Sequence, residues 1–151
     1  MQMRRKRAKN KKVRNATTKV YKGIKFRSKL ELFTYVKLEE AGIAALYEKK
    51  KYVLMEGFRF ESDAIECNSK REFVKNETKI RDITYTPDFV DPNELWIIEV
   101  KGFANDVFPI KWKMFKKHLQ DKGNAPMLFL PRNQKQVLET IEMIKETFYT
   151  D

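Results

Sequence analysis

Apolar residues at Leu30, Phe33, Val36, Leu38 and Ala41 recur at the spacing of one helical face. Ser28 stands where an N-cap belongs, Glu31 follows at capping-box spacing, and Gly42 supplies a C-cap. Ahead of this helix, Tyr21 to Phe26 is a short apolar and basic lead-in. Beyond it, Tyr52 to Phe60 reads as a strand with Gly57 as a bulge. Ile80 to Val90 (IRDITYTPDFV) is rich in β-branched and aromatic residues, and Asp91-Pro92-Asn93-Glu94 is turn chemistry. Leu95 to Lys101 (LWIIEVK) then returns as an antiparallel strand that Gly102 ends. Residues 61 to 79 show no period and read as the tip of a long hairpin. Residues 108 to 120 are helical, with Pro109 tolerated in the first turn and Asp121 to Asn124 as a stop. Met127 to Leu130 is a short buried strand. Gln134 to Phe148 closes the chain as an amphipathic helix with Val137, Leu138, Ile141, Ile144 and Phe148 on one stripe. The predicted order is helix, three strands, helix, strand, helix, without an internal repeat.

Composition changes this picture in one place. The chain of 151 residues suffices for one domain, and 42% hydrophobic residues make it globular. Its net charge of +11, however, is concentrated at one end. Residues 1 to 20 carry nine Lys or Arg and no acid, whereas the other residues are nearly balanced. Such a segment cannot bury enough apolar surface to order itself, and is expected to be a disordered tail ahead of a domain spanning 21 to 151. Arg4, Arg5, Lys6, Arg7, Lys11 and Lys12 suit phosphate neutralisation with counterion release. A solubilising or localising role is the plainer alternative. A single cysteine, Cys67, excludes an intramolecular disulfide and fits a reducing compartment. No apolar run reaches the roughly 18 residues of a membrane span, and nothing apolar follows the basic start as in a secretory signal. The expected location is the cytoplasm.

The chemistry sits on the second hairpin. Residues two apart on a strand share a face, so Glu99 and Lys101 point together while Trp96, Ile98 and Val100 supply core. Asp88 precedes Glu99 across the turn, near enough for the two carboxylates to meet. Close carboxylates repel unless a proton or cation lies between them, and a hard divalent ion with oxygen ligands resolves the conflict. Such an ion can acidify water and offset charge on a phosphorane. Lys101 could orient or deprotonate the attacking water, or stabilise the developing charge. Glu31 is the one carboxylate inside an apolar helical stripe; its alternative role is the capping box with Ser28. For Asp88, Glu99 and Lys101 the alternative is an ordinary ion pair on an exposed strand face. Lys111, Lys113, Lys116 and Lys117, with Trp112, could track a phosphate backbone or form a solvated helix face. His118 has no partner at ligand spacing and is expected at the surface. Without a glycine-rich phosphate loop, no nucleotide cofactor is expected.

Pro87-Asp88 followed by Glu99-Val100-Lys101 resembles the PD-(D/E)XK nuclease superfamily. The segments YKGIKFRSKLE (21 to 31), RDITYTPDFV (81 to 90) and IIEVKGF (97 to 103) are similar to small phage-encoded, Holliday-junction-resolvase-like endonucleases. The arrangement is also similar to transposon end-cleaving nucleases. The resemblance implies an α/β, restriction-endonuclease-like αβββαβ core with a mixed central sheet, to which a C-terminal helix is added. It implies a Mg²⁺-dependent DNA endonuclease, Mn²⁺ substituting, with Asp88, Glu99 and Glu31 as metal ligands and Lys101 as the catalytic lysine. Lys111 would be the favoured DNA contact on the second helix. Relatives often carry a Gln where this chain has Glu48-Lys49-Lys50-Lys51, and residues 61 to 79 form a long insertion.

The substrate implied is branched DNA, and two cuts on a junction would favour a homodimer. The alternatives are a nuclease subunit for transposon ends or specific sequences that needs partners, and a non-catalytic DNA-binding accessory. RNA is a further possible substrate. If the basic segment contacts phosphates, deleting residues 1 to 20 should weaken DNA binding and flatten its dependence on salt, measurable by titration at several ionic strengths.

Overall fold

The computed structural model describes residues 18–150. The tail cations Arg4, Arg5, Lys6, Arg7, Lys11 and Lys12 lie outside the described residues. The lead-in that looked featureless is a hairpin. Strands β1 (Lys19–Tyr21) and β2 (Ile24–Phe26) pair antiparallel around Lys22-Gly23, both at positive φ (49° and 77°). Two consecutive left-handed residues make the type I′ turn whose twist matches a two-residue hairpin. Since Lys19 and Val20 belong to β1, a truncation that spares this hairpin must stop no later than residue 18.

Helix α1 (Lys29–Glu40) starts at Ser28, whose hydroxyl accepts from the Glu31 amide, and ends in a Schellman motif. There the Gly42 and Ile43 amides bond back to Glu39 and Leu38. Its buried line differs from the expected stripe: Glu31, Thr34 and Leu38 face inward, with the Thr34 hydroxyl donating to the Leu30 carbonyl.

Two long strands then run antiparallel in broken pieces. Strands β3 (Leu46–Tyr47) and β4 (Tyr52–Met55) pair respectively with β8 (Phe89–Val90) and β7 (Ile83–Tyr85). The irregularity in this ladder lies between Val53 and Met55, not at Gly57. Gly57 instead marks a close approach, since a Cβ there would sit 2.5 Å from the Ile80 carbonyl oxygen. Past one bridge between Phe58 and Ile80, the ribbon ends in a two-stranded arm of β5 (Ile65–Cys67) and β6 (Phe73–Lys75). Residues 61 to 79 are thus a hairpin tip, as expected, though one that contains strands.

Strand β9 (Trp96–Ile98) returns antiparallel to β8 through a turn held by Asp91, whose carboxylate accepts from the Asn93 and Leu95 amides. Helix α2 (Phe108–Lys122) crosses over to β10 (Met127–Phe129), which lies parallel to β9. Helix α3 (Gln134–Phe148) is capped by Asn133. The main sheet has the order β10-β9-β8-β3, so it is mixed, and the molecule is α/β with three helices. Strand β10 is an edge strand with Met127 exposed, whereas a buried strand was expected. Phe129 and Leu128 still pack into opposite core layers, and only Met127 at the start of the strand is left uncovered. Among the described residues, no helix is long and apolar enough to cross a membrane.

Alternation along β9 sorts the core into two layers. Trp96, Ile98 and Val100 pack with Leu38 of α1 and with Val137, Ile141 and Ile144 of α3. Ile97 faces the other way, onto Phe108, Trp112, Phe115 and Leu119 of α2. Thr140 takes the place expected of Leu138 on the buried line of α3, and Leu138 is exposed. Ile65, Phe73 and Val74 of the arm are all exposed, so the arm adds nothing to either layer. Replacing residues 61 to 79 with a short turn should therefore change unfolding free energy by less than about 1 kcal/mol in denaturant melts.

Candidate metal and phosphodiester site

The site begins where the ladder fails. Pro87 is fully buried, has no amide to donate, and restricts Thr86 before it, so pairing breaks between β7 and β8. On the facing strand the break spans the residues between β3 and β4. There Glu48 adopts a left-handed φ of 48° and its amide bonds the Asp88 carbonyl at 2.9 Å. Both chains thus turn acidic side chains toward one cleft of about 390 Å³, lined also by Glu31, Glu99, Lys101 and Lys111.

The carboxylates are fixed by donors from neighbouring elements. Asp88 Oδ2 accepts from the Val100 amide at 2.7 Å, and Glu99 Oε2 accepts from the Asp88 amide at 3.2 Å. Strands β8 and β9 therefore hold each other's acidic residue. Glu31 Oε1 accepts from the Ser28 hydroxyl at 3.2 Å and Oε2 from the Tyr47 hydroxyl at 2.5 Å. The helix-capping role and the cleft-facing role of Glu31 coexist: its amide serves the cap while its carboxylate turns into the cleft. Lys101 Nζ lies 3.5 Å from Glu99 Oε1 and 4.6 Å from the centre of the Phe108 ring. Lys101 is thus held between the carboxylate of its own strand and the first residue of α2.

Burial makes these charges costly. Asp88 and Glu99 are 8% and 4% exposed. Burial, then the neighbouring Glu99 and Glu31 carboxylates, raise the Asp88 carboxyl well above its ordinary range. Burial raises Glu99 as well, against the opposing pull of Tyr85 and Lys101. The Tyr85 hydroxyl is enclosed beside Glu99 and makes no well-formed hydrogen bond among the described residues. Burial and then the Glu99 charge push its phenol upward.

Oxygens of Glu31, Glu48 and Asp88 come within 4.8 Å of one another. An all-carboxylate donor set, partly desolvated and mutually repelling, fits a hard divalent cation. Glu99 is in the same cleft but turns its oxygens to Lys101 and the Asp88 amide. The structure thus gathers Glu31, Asp88, Glu99 and Lys101, and adds Glu48, which sequence reasoning passed over as the start of a lysine run. Tyr47, the donor to Glu31, was missed too, because the two residues of β3 are too few to show a period. Arg27, whose Nε lies 3.2 Å from Glu48 Oε1, stands at the rim.

The lysines of α2 do not act as one face. Lys111 reaches into the cleft and donates to the Thr84 carbonyl at 3.2 Å. Lys113 points elsewhere, toward a separate groove with Leu54 and His118. Lys116 lies over the Trp112 ring, and Lys117 pairs with Asp121. His118 is not a surface residue: it is half-buried against Tyr52, with Nε2 enclosed and without a partner among the described residues.

A family described as "Protein of unknown function (DUF1064)" matches residues 9–128. The chain belongs to this family. The DUF1064 match takes in Glu31, Glu48, Asp88, Glu99 and Lys101, and stops one residue before Phe129. No curated protein and no solved structure matches the chain.

Removing one of the crowded charges should relieve the metal-free fold. Asp88→Asn keeps an acceptor for the Val100 amide and is expected to raise the melting temperature at neutral pH by a few degrees, about 1 kcal/mol. Asp88 binds its proton more tightly folded than unfolded. Wild-type stability should therefore fall as pH rises from the ordinary carboxylate range to the raised folded-state value, then level off. The variant should lose that part of the slope, and should gain less from added Mg²⁺. Thermal melts in EDTA and in Mg²⁺ across about pH 4 to 8 check both.

Proposed function

We propose that the protein is a divalent-metal-dependent DNA endonuclease built on a PD-(D/E)XK core. The observation that carries this reading is the meeting of buried Asp88 and Glu99 with Lys101 and the helix carboxylate Glu31 in one open cleft. The run from α1 through β10 supports it, since its helices and broken strands follow the αβββαβ order of that core. A structural ion pair does not account for the arrangement. Among the described residues, only Glu48 and Glu99 of these carboxylates have an ion-pair partner, in Arg27 and Lys101. Lys111 donates to the Thr84 carbonyl, so Glu31 and Asp88 stay without one. A purely stabilising role would favour apolar replacements.

Glu31, Glu48 and Asp88 would hold the cation, and Glu99, which lines the same cleft, would join them only by turning an oxygen away from Lys101 or the Asp88 amide. A bound Mg²⁺ supplies positive charge against the phosphorane and lowers the pKa of water. The chain's own contribution is position and charge. The ammonium of Lys101, steadied by Glu99 and Phe108, faces the cleft where an attacking water or a non-bridging phosphate oxygen would lie. The water oxygen would form the new bond to phosphorus and give its proton to solvent, while the bridging oxygen departs with the other nucleotide and takes a proton from solvent to become its hydroxyl. Arg27 and Lys111 flank the opening and suit the neighbouring phosphates.

Branched DNA is the substrate class we favour, with two copies needed for paired cuts. The decisive assay compares a labelled four-way junction, linear duplex and single strand, in Mg²⁺ or EDTA. Wild type should cut only with Mg²⁺ (or Mn²⁺), and the junction best. Lys101→Ala should lower the rate at least about 100-fold while DNA binding persists. Equal cutting of all three substrates would remove the branch preference. Intact binding without cleavage under either metal would overturn the endonuclease reading.

A further inference from the structure

Large apolar side chains at the surface are common singly and need no explanation. The corner joining β9 to α2 differs because three occur within eight residues beside a charged cleft. Phe103 is 87% exposed, Ile110 62% and Val107 54%. Val107 and Phe108 line the cleft, and Phe103 follows Lys101 by two residues, so its Cα lies within about 7 Å of that of Lys101. The Asn105 side chain accepts from the Phe108 amide at 2.8 Å, which ties the loop to the start of α2. Phe103 thus lies two residues from the cleft-lining Lys101 and two from the cleft-lining Asn105, and its ring is left almost bare.

We propose that Phe103 is a stacking platform for an unstacked nucleobase beside the phosphodiester in the cleft, and so makes the site selective for DNA with a strand discontinuity. This rests on the endonuclease reading above. A base inside continuous duplex has both faces covered by its neighbours, so a protruding phenyl ring gains nothing from it. A base at a branch, flap or single-stranded end offers a bare face. Stacking on it removes apolar area from water on both partners and tolerates any sequence. The span from Lys101 to Phe103 is comparable with one nucleotide, so a base adjoining the phosphodiester in the cleft is within reach of the platform. Val107 and Ile110, three residues apart at the start of α2, continue the apolar surface along that corner. Arg27 and Lys111 complete the cleft's opening with positive charge. Cations for the backbone combined with an aromatic platform for the base form the combination that recognises single-stranded nucleic acid.

The test uses the full chain as wild type, Phe103→Ala and Phe103→Trp. Its first substrate is a synthetic four-way junction with a fluorescent purine analogue at the branch. In Ca²⁺, which suits binding without turnover, wild type and Phe103→Trp should quench the analogue and Phe103→Ala should not. In Mg²⁺, the ratio of junction to linear-duplex cleavage should fall about tenfold in Phe103→Ala, the order expected for one lost stack, and recover in Phe103→Trp. Equal quenching and an unchanged ratio in Phe103→Ala would overturn the proposal. If wild type cuts nothing, the endonuclease reading fails by itself, and the quenching comparison still decides whether Phe103 meets a base.

Discussion

Taking several carboxylates out of water at one point is the constraint around which this molecule is organised. A sheet with an unbroken ladder would send alternate side chains outward to solvent or inward to apolar core, and neither suits buried Asp88. Pro87 interrupts the ladder from one side, and the left-handed Glu48 does so from the other. The interruption lets backbone donors meet side chains: the Val100 amide serves Asp88, and the Asp88 amide serves Glu99. The local loss of strand pairing is offset by two hydrogen bonds to charged acceptors, each stronger than the neutral bond it replaces. Repulsion among the carboxylates persists and, added to burial, raises the Asp88 carboxyl well above its ordinary range.

The two core layers keep this arrangement stiff. Phe26, Tyr47 and Phe89 pack ring to ring beneath α1, with centroids 4.7 and 5.2 Å apart, and thereby aim the Tyr47 hydroxyl at Glu31. On the opposite layer, Tyr85 packs on Phe115 and Phe108 stacks on Trp112, which fixes the ring that Lys101 rests over. Aromatic side chains have few rotatable bonds, so they position polar tips at small entropic cost. The helix carboxylate and the lysine are thus oriented by different layers that meet only at the sheet.

Much of this was legible in the sequence, for reasons that differ by element. Helix α3 showed its bounds because fifteen residues give the 3.6-residue period several turns to repeat. The alternation of LWIIEVK separated core from cleft along β9 before any coordinates, because period two survives even in a short run. What escaped were features that depend on pairing partners. The hairpin of β1 and β2 has three-residue strands, and its Lys22-Gly23 turn is a weaker signal than Asn-Gly. Glu48 was read only as the start of the run Glu48-Lys49-Lys50-Lys51 where relatives often carry a Gln, since nothing local announces that its strand is broken opposite Pro87. The lysines of α2 were grouped by sequence proximity, but 100° per residue sends Lys111 and Lys113 to different sides.

The parallel pairing of β9 with β10 has a consequence for the order in which the site can form. Beyond Ile98 the strand is carried by two backbone bonds, from the Glu99 amide to the Phe129 carbonyl and from the Lys101 amide to the Pro131 carbonyl. Those acceptors are synthesised after the whole of α2, long after the residues they hold. A nascent chain paused at Gly123 contains each carboxylate and the lysine and can pair β9 with β8, yet it lacks the acceptors for the Glu99 and Lys101 amides. The geometry of the cleft therefore depends on a segment made only after α2, and is complete only once the crossover to β10 has closed.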